Sequence, residues 1–258
     1  MIEIKACTKT NIYDLEEMKY LIQSTKKLNI QFDIVGLNQE WNAYKPIYYY
    51  REYLKKIEKN CVVIFTDAYD VFYKDTLDVI KNRFINLNTD ILFSCEKKYC
   101  HQLETDRDFF DKMSKKTSYK YFNAGTLMGY KDKLLEFYSD LIDKLENDKE
   151  FVLELSKMPL KKNRKLYLPQ GISIRNSDQF ITSHFLKKYG KNYNFKFDYY
   201  CDIFYVCTVN KIKELKNCVN NNFMITETNK TPSIIHVPYK KKNLYILEYL
   251  YNKFKNLH

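Results

Sequence analysis

Apolar residues fall into two rhythms along the 258 residues of this chain. Short unbroken runs, such as Cys61-Val62-Val63-Ile64, read as strands buried on both faces. Between them, apolar residues recur every three or four positions, the mark of helices with one apolar face. This patterning predicts strands over residues 2–7, 32–35, 61–65 and 91–94, and helices over 15–28, 47–57 and 77–87. Leu15, Met18, Leu21 and Ile22 form the first helical stripe behind an Asp14 cap. Pro46 suits the first turn of the second helix, and Gly36 closes the second strand. The β-α-β-α-β-α-β alternation predicts an α/β fold: a mostly parallel, Rossmann-like central sheet with helices on both faces.

Beyond Ser94 the rhythm loosens. Residues 97–118 are polar and read as a loop with a short helix, and 121–130 carry Gly125 and Gly129. Residues 131–155 are strongly helical, 159–174 basic and irregular, and 178–188 helical again. Strands are expected over 195–204 and 234–237, and a closing helix over 245–257. There is no repeat, low-complexity linker or compositional break, so residues 1–258 are expected to form a single domain.

Composition narrows the functional classes. Hydrophobic residues make up 45%, enough for a sizeable core, yet no apolar run reaches the length of about 18 that a membrane span needs. The start, Met1-Ile2-Glu3-Ile4-Lys5, lacks the basic-then-apolar design of a secretory leader. A net charge of +11 favours anionic partners. The lysines are scattered, however, with only short clusters at Lys161-Lys162 and Lys240-Lys241-Lys242, whereas a nucleic-acid binder concentrates them on one helix or tail. Nucleic acid is therefore not an expected partner, and the abundance of Lys, Asn, Tyr and Ile fits an AT-rich viral or microbial genome. Seven cysteines without a CxxC pair give neither a zinc pattern nor a disulfide framework. Cys61 and Cys95 read as small core residues, and a reducing, cytoplasmic or viral setting is expected rather than secretion. Cys95–Cys100 and Cys201–Cys207 are the pairings left open for an oxidising one. A homodimer is also left open.

The chemistry concentrates at Phe65-Thr66-Asp67-Ala68-Tyr69-Asp70. Two carboxylates three residues apart, just past a buried strand, can point at one place. Such a pair suits a hard divalent cation, and the cation suits a diphosphate, which suggests an enzyme using a nucleotide-sugar. The competing reading is a solvated turn, where aspartate is common.

Several blocks in order strengthen the first reading. They are Val35-Gly36-Leu37 through Trp41, Phe65 to Tyr73, Leu92-Phe93-Ser94-Cys95-Glu96 with Cys100, Tyr121-Phe122-Asn123-Ala124-Gly125 with Met128-Gly129, Ser177-Asp178-Gln179, Asp198 with Ile203-Phe204, and Ile235-His236. Together they resemble the glycosyltransferase domain of the lysyl hydroxylases and, more distantly, the collagen galactosyltransferases. The resemblance runs from about residue 31 to 240. It implies a GT-A fold, manganese and a UDP-sugar donor.

By this resemblance Asp67, Asp70 and His236 are the metal ligands; without it, His236 reads as a packed core histidine. Tyr69 matches a residue that stacks on uracil, or else is one core aromatic among 24 tyrosines. Val35 and Trp41 match positions at the nucleotide, Lys45 and Lys242 are matched to the diphosphate, and Asn123, Gly125 and Gln179 lie by the sugar. Asp178 is the candidate catalytic residue, holding sugar hydroxyls or the acceptor; its alternative is a helix N-terminal carboxylate satisfying backbone N–H groups. Several positions depart from the family: Ser177 stands where it has an aspartate, His101 replaces an aromatic, Asn42-Ala43-Tyr44-Lys45-Pro46 replaces a glycine-rich segment, and Val237-Pro238-Tyr239 replaces a glycine turn. The expected reaction is transfer of glucose from UDP-glucose to galactosyl-hydroxylysine of collagen-like chains. The alternatives are transfer of galactose from UDP-galactose to hydroxylysine, and a non-catalytic module that binds glycan or collagen. With Asp178 the one obvious base, the residues lean toward a retaining reaction.

Overall fold

A computed structural model of the chain describes residues 2–100, 102–113, 116–158, 165–238 and 243–256. In chain order its elements are β1 (Ile4–Lys9), α1 (Lys19–Lys27), β2 (Phe32–Val35), α2 (Pro46–Lys55), β3 (Val62–Asp67), β4 (Val71–Tyr73), α3 (Leu77–Asn86) and β5 (Ile91–Glu96). They continue with α4 (Arg107–Met113), β6 (Tyr121–Tyr130), α5 (Lys131–Asn147), α6 (Lys149–Ser156), β7 (Lys165–Tyr167), β8 (Ser173–Arg175) and α7 (Asp178–Tyr189). The last are β9 (Phe195–Phe197), β10 (Phe204–Val206), α8 (Ile212–Cys218), β11 (Ile234–His236) and α9 (Leu244–Lys255).

The main sheet has the order β2-β1-β3-β6-β5-β9. Within it β6 runs against both neighbours, and the other strands share one direction. The expected mostly parallel α/β sheet is therefore present. On β3, Val63 and Phe65 face the core beneath α2 and α5, while Val62 and Ile64 face the one beneath α1 and α3. Burial on both faces is why this strand reads as an unbroken apolar run; each such side chain contributes about 1.5–3 kcal/mol.

A second sheet, β10-β11-β4, leans on the end of the first. It grows out of β3: after Asp67 the chain turns through Ala68-Tyr69-Asp70 and resumes as β4. The late strand β11 then pairs antiparallel with β4, setting His236 opposite Val71.

Several boundaries differ from the sequence expectation for local reasons. The first helix starts later than Leu15 because the Asp14 carboxylate accepts the Glu16 and Glu17 N–H groups in a preceding turn. The helix expected over 131–155 breaks at Asp148, whose side chain caps α6 by accepting Phe151 N–H at 3.0 Å. The single strand expected over 195–204 is two strands in different sheets. Between them the Asp198 carboxylate accepts the backbone N–H groups of Asp202, Ile203 and Phe204 at 2.7–2.9 Å. Part of the segment expected to be irregular is the hairpin β7–β8, while 159–164 lie outside the described residues. The seven cysteines form no disulfide. Among the described residues, no helix is long and apolar enough to cross a membrane.

Candidate active site

Lys9, Asp67 and Glu96 end β1, β3 and β5, three strands of one direction, so they share one edge of the sheet. Ligands of α/β sheets gather at this carboxyl edge. A cavity of about 520 Å³ opens there, lined by all three together with Asp70, Asn123, Gly125, Asp178, Gln179 and His236.

The β4–β11 pairing accounts for the convergence of early acids and a late imidazole. Val237 N–H donates to Asp70 O at 2.9 Å, which fixes His236 beside the turn that carries the acids. His236 Nε2 then lies 3.3 Å from Asp67 Oδ2 and 3.5 Å from Asp70 Oδ2. One ligand atom from each of the three residues lies within 4.8 Å of the others, a span that a single cation bridges. Asp70 and His236 are buried, whereas the Asp67 side chain is 29% exposed, so the cluster opens to the cavity through Asp67.

Two observations test whether these residues fit a metal. The first is His236: both ring nitrogens are buried without a hydrogen-bond partner among the described residues. A buried polar atom in that state normally costs about 1–3 kcal/mol, which a ligand removes. The second is Gly125: a Cβ there would fall 2.1 Å from His236 Cε1 and 2.7 Å from Asp67 Oδ2. Only glycine leaves the space beside the cluster free. The donor set, two carboxylates and an imidazole, suits a divalent cation.

The electrostatics agree. Burial by itself would lower the His236 pKa, but Asp70 and Asp67 outweigh it and push it up to about 10. Burial would raise the Asp67 carboxyl, yet Lys9 and His236 hold it below the ordinary carboxylate range. The two acids thus favour positive charge at His236, a place that a divalent cation would take over from the imidazole proton.

Beneath the cavity, the β5–β6 pairing slips between Phe93 and Ser94, so that Phe93 faces Leu127 while Ser94 faces Asn123. The intervening residues include Ala124 and Gly125, and an irregularity of this kind re-aims groups at functional edges. Asn123 Oδ1 accepts Gly125 N–H at 2.9 Å, and its Nδ2 donates to Glu96 Oε1 at 3.0 Å. Gln179 Nε2 donates to the same Glu96 oxygen at 3.1 Å, and its Oε1 accepts Ala124 N–H at 3.3 Å. Burial raises the Glu96 pKa against these donors. Asp178 sits in the first turn of α7 behind the true cap, Ser177. Its Oδ1 accepts Gln179 N–H at 2.7 Å and its Oδ2 accepts from Lys9 Nζ at 2.8 Å.

The structure therefore gathers Asp67, Asp70, His236, Asn123, Gly125, Asp178 and Gln179 around one cavity. Val35, Trp41 and Tyr69 are not among its lining residues. Val35 O accepts Thr10 N–H at 3.1 Å, and the Tyr69 hydroxyl is bonded to Thr10 Oγ1. Trp41 packs on Tyr49, with 6.1 Å between ring centroids, and both rings close over Gly36, whose φ of +88° favours glycine. Lys45, the N-cap residue of α2, lies 3.9 Å from Glu40 and over the Tyr44 ring, and is not among the residues that line the cavity. Lys242 lies outside the described residues, although its neighbour Asn243 lines the cavity. The sequence reading missed Lys9 and gave Glu96 no role. The signal for both was position: each is the last residue of a strand in the parallel set.

A family model described as the PLOD GT domain matches residues 8–164. The chain belongs to this family. The match includes the end of β1 and the whole of β3, β5 and β6, which bring Lys9, Asp67, Glu96, Asn123 and Gly125 to the cavity, and it stops before Asp178, Gln179 and His236. Procollagen-lysine,2-oxoglutarate 5-dioxygenase of Drosophila melanogaster is 27% identical over 165 residues, covering 60% of this chain and 22% of that protein. An uncharacterised protein of Acanthamoeba polyphaga mimivirus is 28% identical over 168 residues, covering 59% of this chain and 36% of the relative. The chain thus spans well under half the length of either. A glycosyltransferase involved in the glycosylation of the major capsid of PBCV-1 has a similar structure, with a TM-score of 0.52 at 11% identity, covering 96% of this chain and 99% of the other. At that identity the likeness speaks to the fold, and it agrees with GT-A. As a PLOD GT domain, the chain is a glycosyltransferase.

Proposed function

We propose that this domain, taken as residues 1–258, is a manganese-dependent transferase of glucose from UDP-glucose to galactosyl-hydroxylysine in collagen-like chains. The observation that carries the reading is the Asp67–Asp70–His236 cluster, with ligand atoms within 4.8 Å, at the mouth of a cavity kept open by Gly125. These three residues hold the ion, and an imidazole beside two carboxylates favours manganese over calcium. A divalent ion there supplies Lewis-acid stabilisation of charge on the departing UDP.

The chain's own residues do the rest. Val35, Trp41 and Tyr69 form the nucleoside wall next to Lys9. Lys45 and Lys242 serve the diphosphate, Lys45 by turning from Glu40. Asn123 and Gln179 hold Glu96 and the irregular β6 backbone at the cavity floor, where Gly125 admits the sugar. Asp178 orients sugar or acceptor hydroxyls. Its pairing with Lys9 at 2.8 Å favours this role over that of a general base, which supports retention at the anomeric carbon.

The test is UDP release from a panel of UDP-hexoses with Mn²⁺, with and without a galactosylated hydroxylysine peptide. UDP-glucose with that peptide is expected to be turned over fastest, giving an α-linked product by NMR. A β-linked galactose on bare hydroxylysine would overturn the substrate assignment. Loss of all UDP release in Asp67→Ala is expected of an enzyme and excludes a non-catalytic binding module.

A further inference from the structure

Lys9 is paired with Asp67 in the β1–β3 register, and its side chain is only 9% exposed. Its ammonium has three N–H donors and three oxygen partners. Asp178 Oδ2 lies at 2.8 Å, Asp67 Oδ1 at 3.0 Å and Ala124 O at 3.1 Å. Two of these contacts are hydrogen bonds, to Asp178 and Ala124, and Asp67 Oδ1 is an ion-pair partner, so protein oxygens hold the ammonium on three sides. Lys9 therefore differs from a lysine that waits at a phosphate site, because its partners are already the walls of the cavity.

The two oxygens of Asp67 face different cations. Oδ1 meets Lys9, and Oδ2 faces His236 Nε2 at 3.3 Å, within the group that spans the proposed ion. Resting on the metal reading above, we propose that Lys9 is a positioning residue, a resident cation that keeps Asp67 to one metal-facing oxygen, opposes the divalent ion by its charge, and fastens Asp178 and the Ala124 backbone to the metal centre. One ammonium thus joins β1, β3, β6 and the start of α7.

The two parts of this role have opposite consequences, which a merely structural lysine would not. Without the ammonium, a competing charge leaves Asp67 and its second oxygen becomes available, so the bare ion binds more tightly. Asp178 loses its anchor at the same time, so turnover falls.

The experiment measures Mn²⁺ binding by the full chain, from the electron paramagnetic resonance of the free ion, for wild type, Lys9→Met, Asp178→Asn and the double variant. Lys9→Met is expected to bind Mn²⁺ about tenfold more tightly, since a unit charge at such range acts through a partly desolvated site. Its kcat for UDP release from UDP-glucose is expected to fall on the order of 100-fold. The double variant removes one charge of each sign and carries the same comparison should Lys9→Met fail to fold. It is expected to bind Mn²⁺ about tenfold more tightly than Asp178→Asn alone. Unchanged or weaker Mn²⁺ binding on loss of Lys9, in a folded protein that binds the ion as wild type, overturns this inference alone. Failure of wild type to bind Mn²⁺ overturns the metal reading and this inference together.

Discussion

Two buried histidines in this molecule each face two carboxylates, yet in arrangements that differ. His184, on α7, donates to or accepts from Asp106 Oδ2 through Nδ1 and Glu154 Oε2 through Nε2, both at 2.9 Å. Lys187 pairs with the other Asp106 oxygen at 2.9 Å, Lys188 with the other Glu154 oxygen at 2.8 Å, and the imidazole stacks on Phe151. That network is saturated and ties α6, α7 and the turn before α4 together. His236 also faces two carboxylates, but both lie on one side, at 3.3 and 3.5 Å from the same nitrogen, and neither ring nitrogen has a hydrogen-bond partner among the described residues. Carboxylates at opposite nitrogens make a clip; carboxylates converging on one nitrogen leave a place that a cation could take. Residue type does not separate the two, and geometry does.

The comparison breaks first at the open cluster. Asp67→Ala, Asp70→Ala or His236→Ala is expected to lower kcat on the order of 1,000-fold or more, and EDTA should do the same to wild type. Steady-state UDP release, with circular dichroism to confirm the fold, checks this. Retained turnover in Asp70→Ala would remove the cation from the mechanism. Gly125→Ala comes next: the new methyl strikes His236 and Asp67, so activity should drop on the order of 100-fold. Its Mn²⁺ affinity should fall with it while the melting temperature stays near wild type.

The closed cluster should fail in the opposite way. His184→Ala leaves Asp106, which is wholly buried, without its imidazole partner, and a loss of about 3 kcal/mol is expected in urea unfolding. Mn²⁺ affinity should not change. A variant that loses metal but keeps stability would reverse the assignment of the two histidines.

A smaller effect sharpens the point about compensation. Asp198 has backbone N–H donors and no described cation beside it; burial outweighs those donors and pushes its pKa up to about 6, from an ordinary 3.8. Between those values the folded chain holds the proton more readily than the unfolded chain. Stability from this group is therefore lost as pH rises from about 4 to about 6, on the order of 2 kcal/mol. Urea midpoints across that window should differ in slope between wild type and Asp198→Asn; equal slopes would contradict the raised value.

Much of the scaffold was legible because its strands are buried on both faces, leaving apolar runs at 61–65 and 91–94 that no helix stripe imitates. The strand β4 was not separated from the preceding motif, since Val71-Phe72-Tyr73 is too short to show a period. Asp198 with Ile203-Phe204 was legible as a block, but its role is a chain reversal held by one carboxylate, set by hydrogen bonds to residues four to six positions on. The acid pair of the site could be read from its spacing behind a strand. His236 could be read only by resemblance, because its place depends on the pairing of β11 with β4. Lys9 was hidden among 43 lysines and arginines until the sheet turned it inward. Glu96 gained its partners only where the β5–β6 register slips.

The most direct test of the account is anomalous scattering from manganese in a crystal of the protein with UDP. The account predicts one strong peak bonded to a carboxylate oxygen of Asp67, one of Asp70 and Nε2 of His236, in contact with the diphosphate. A peak that leaves His236 out, or diphosphate bound with no ion between these side chains, would contradict it.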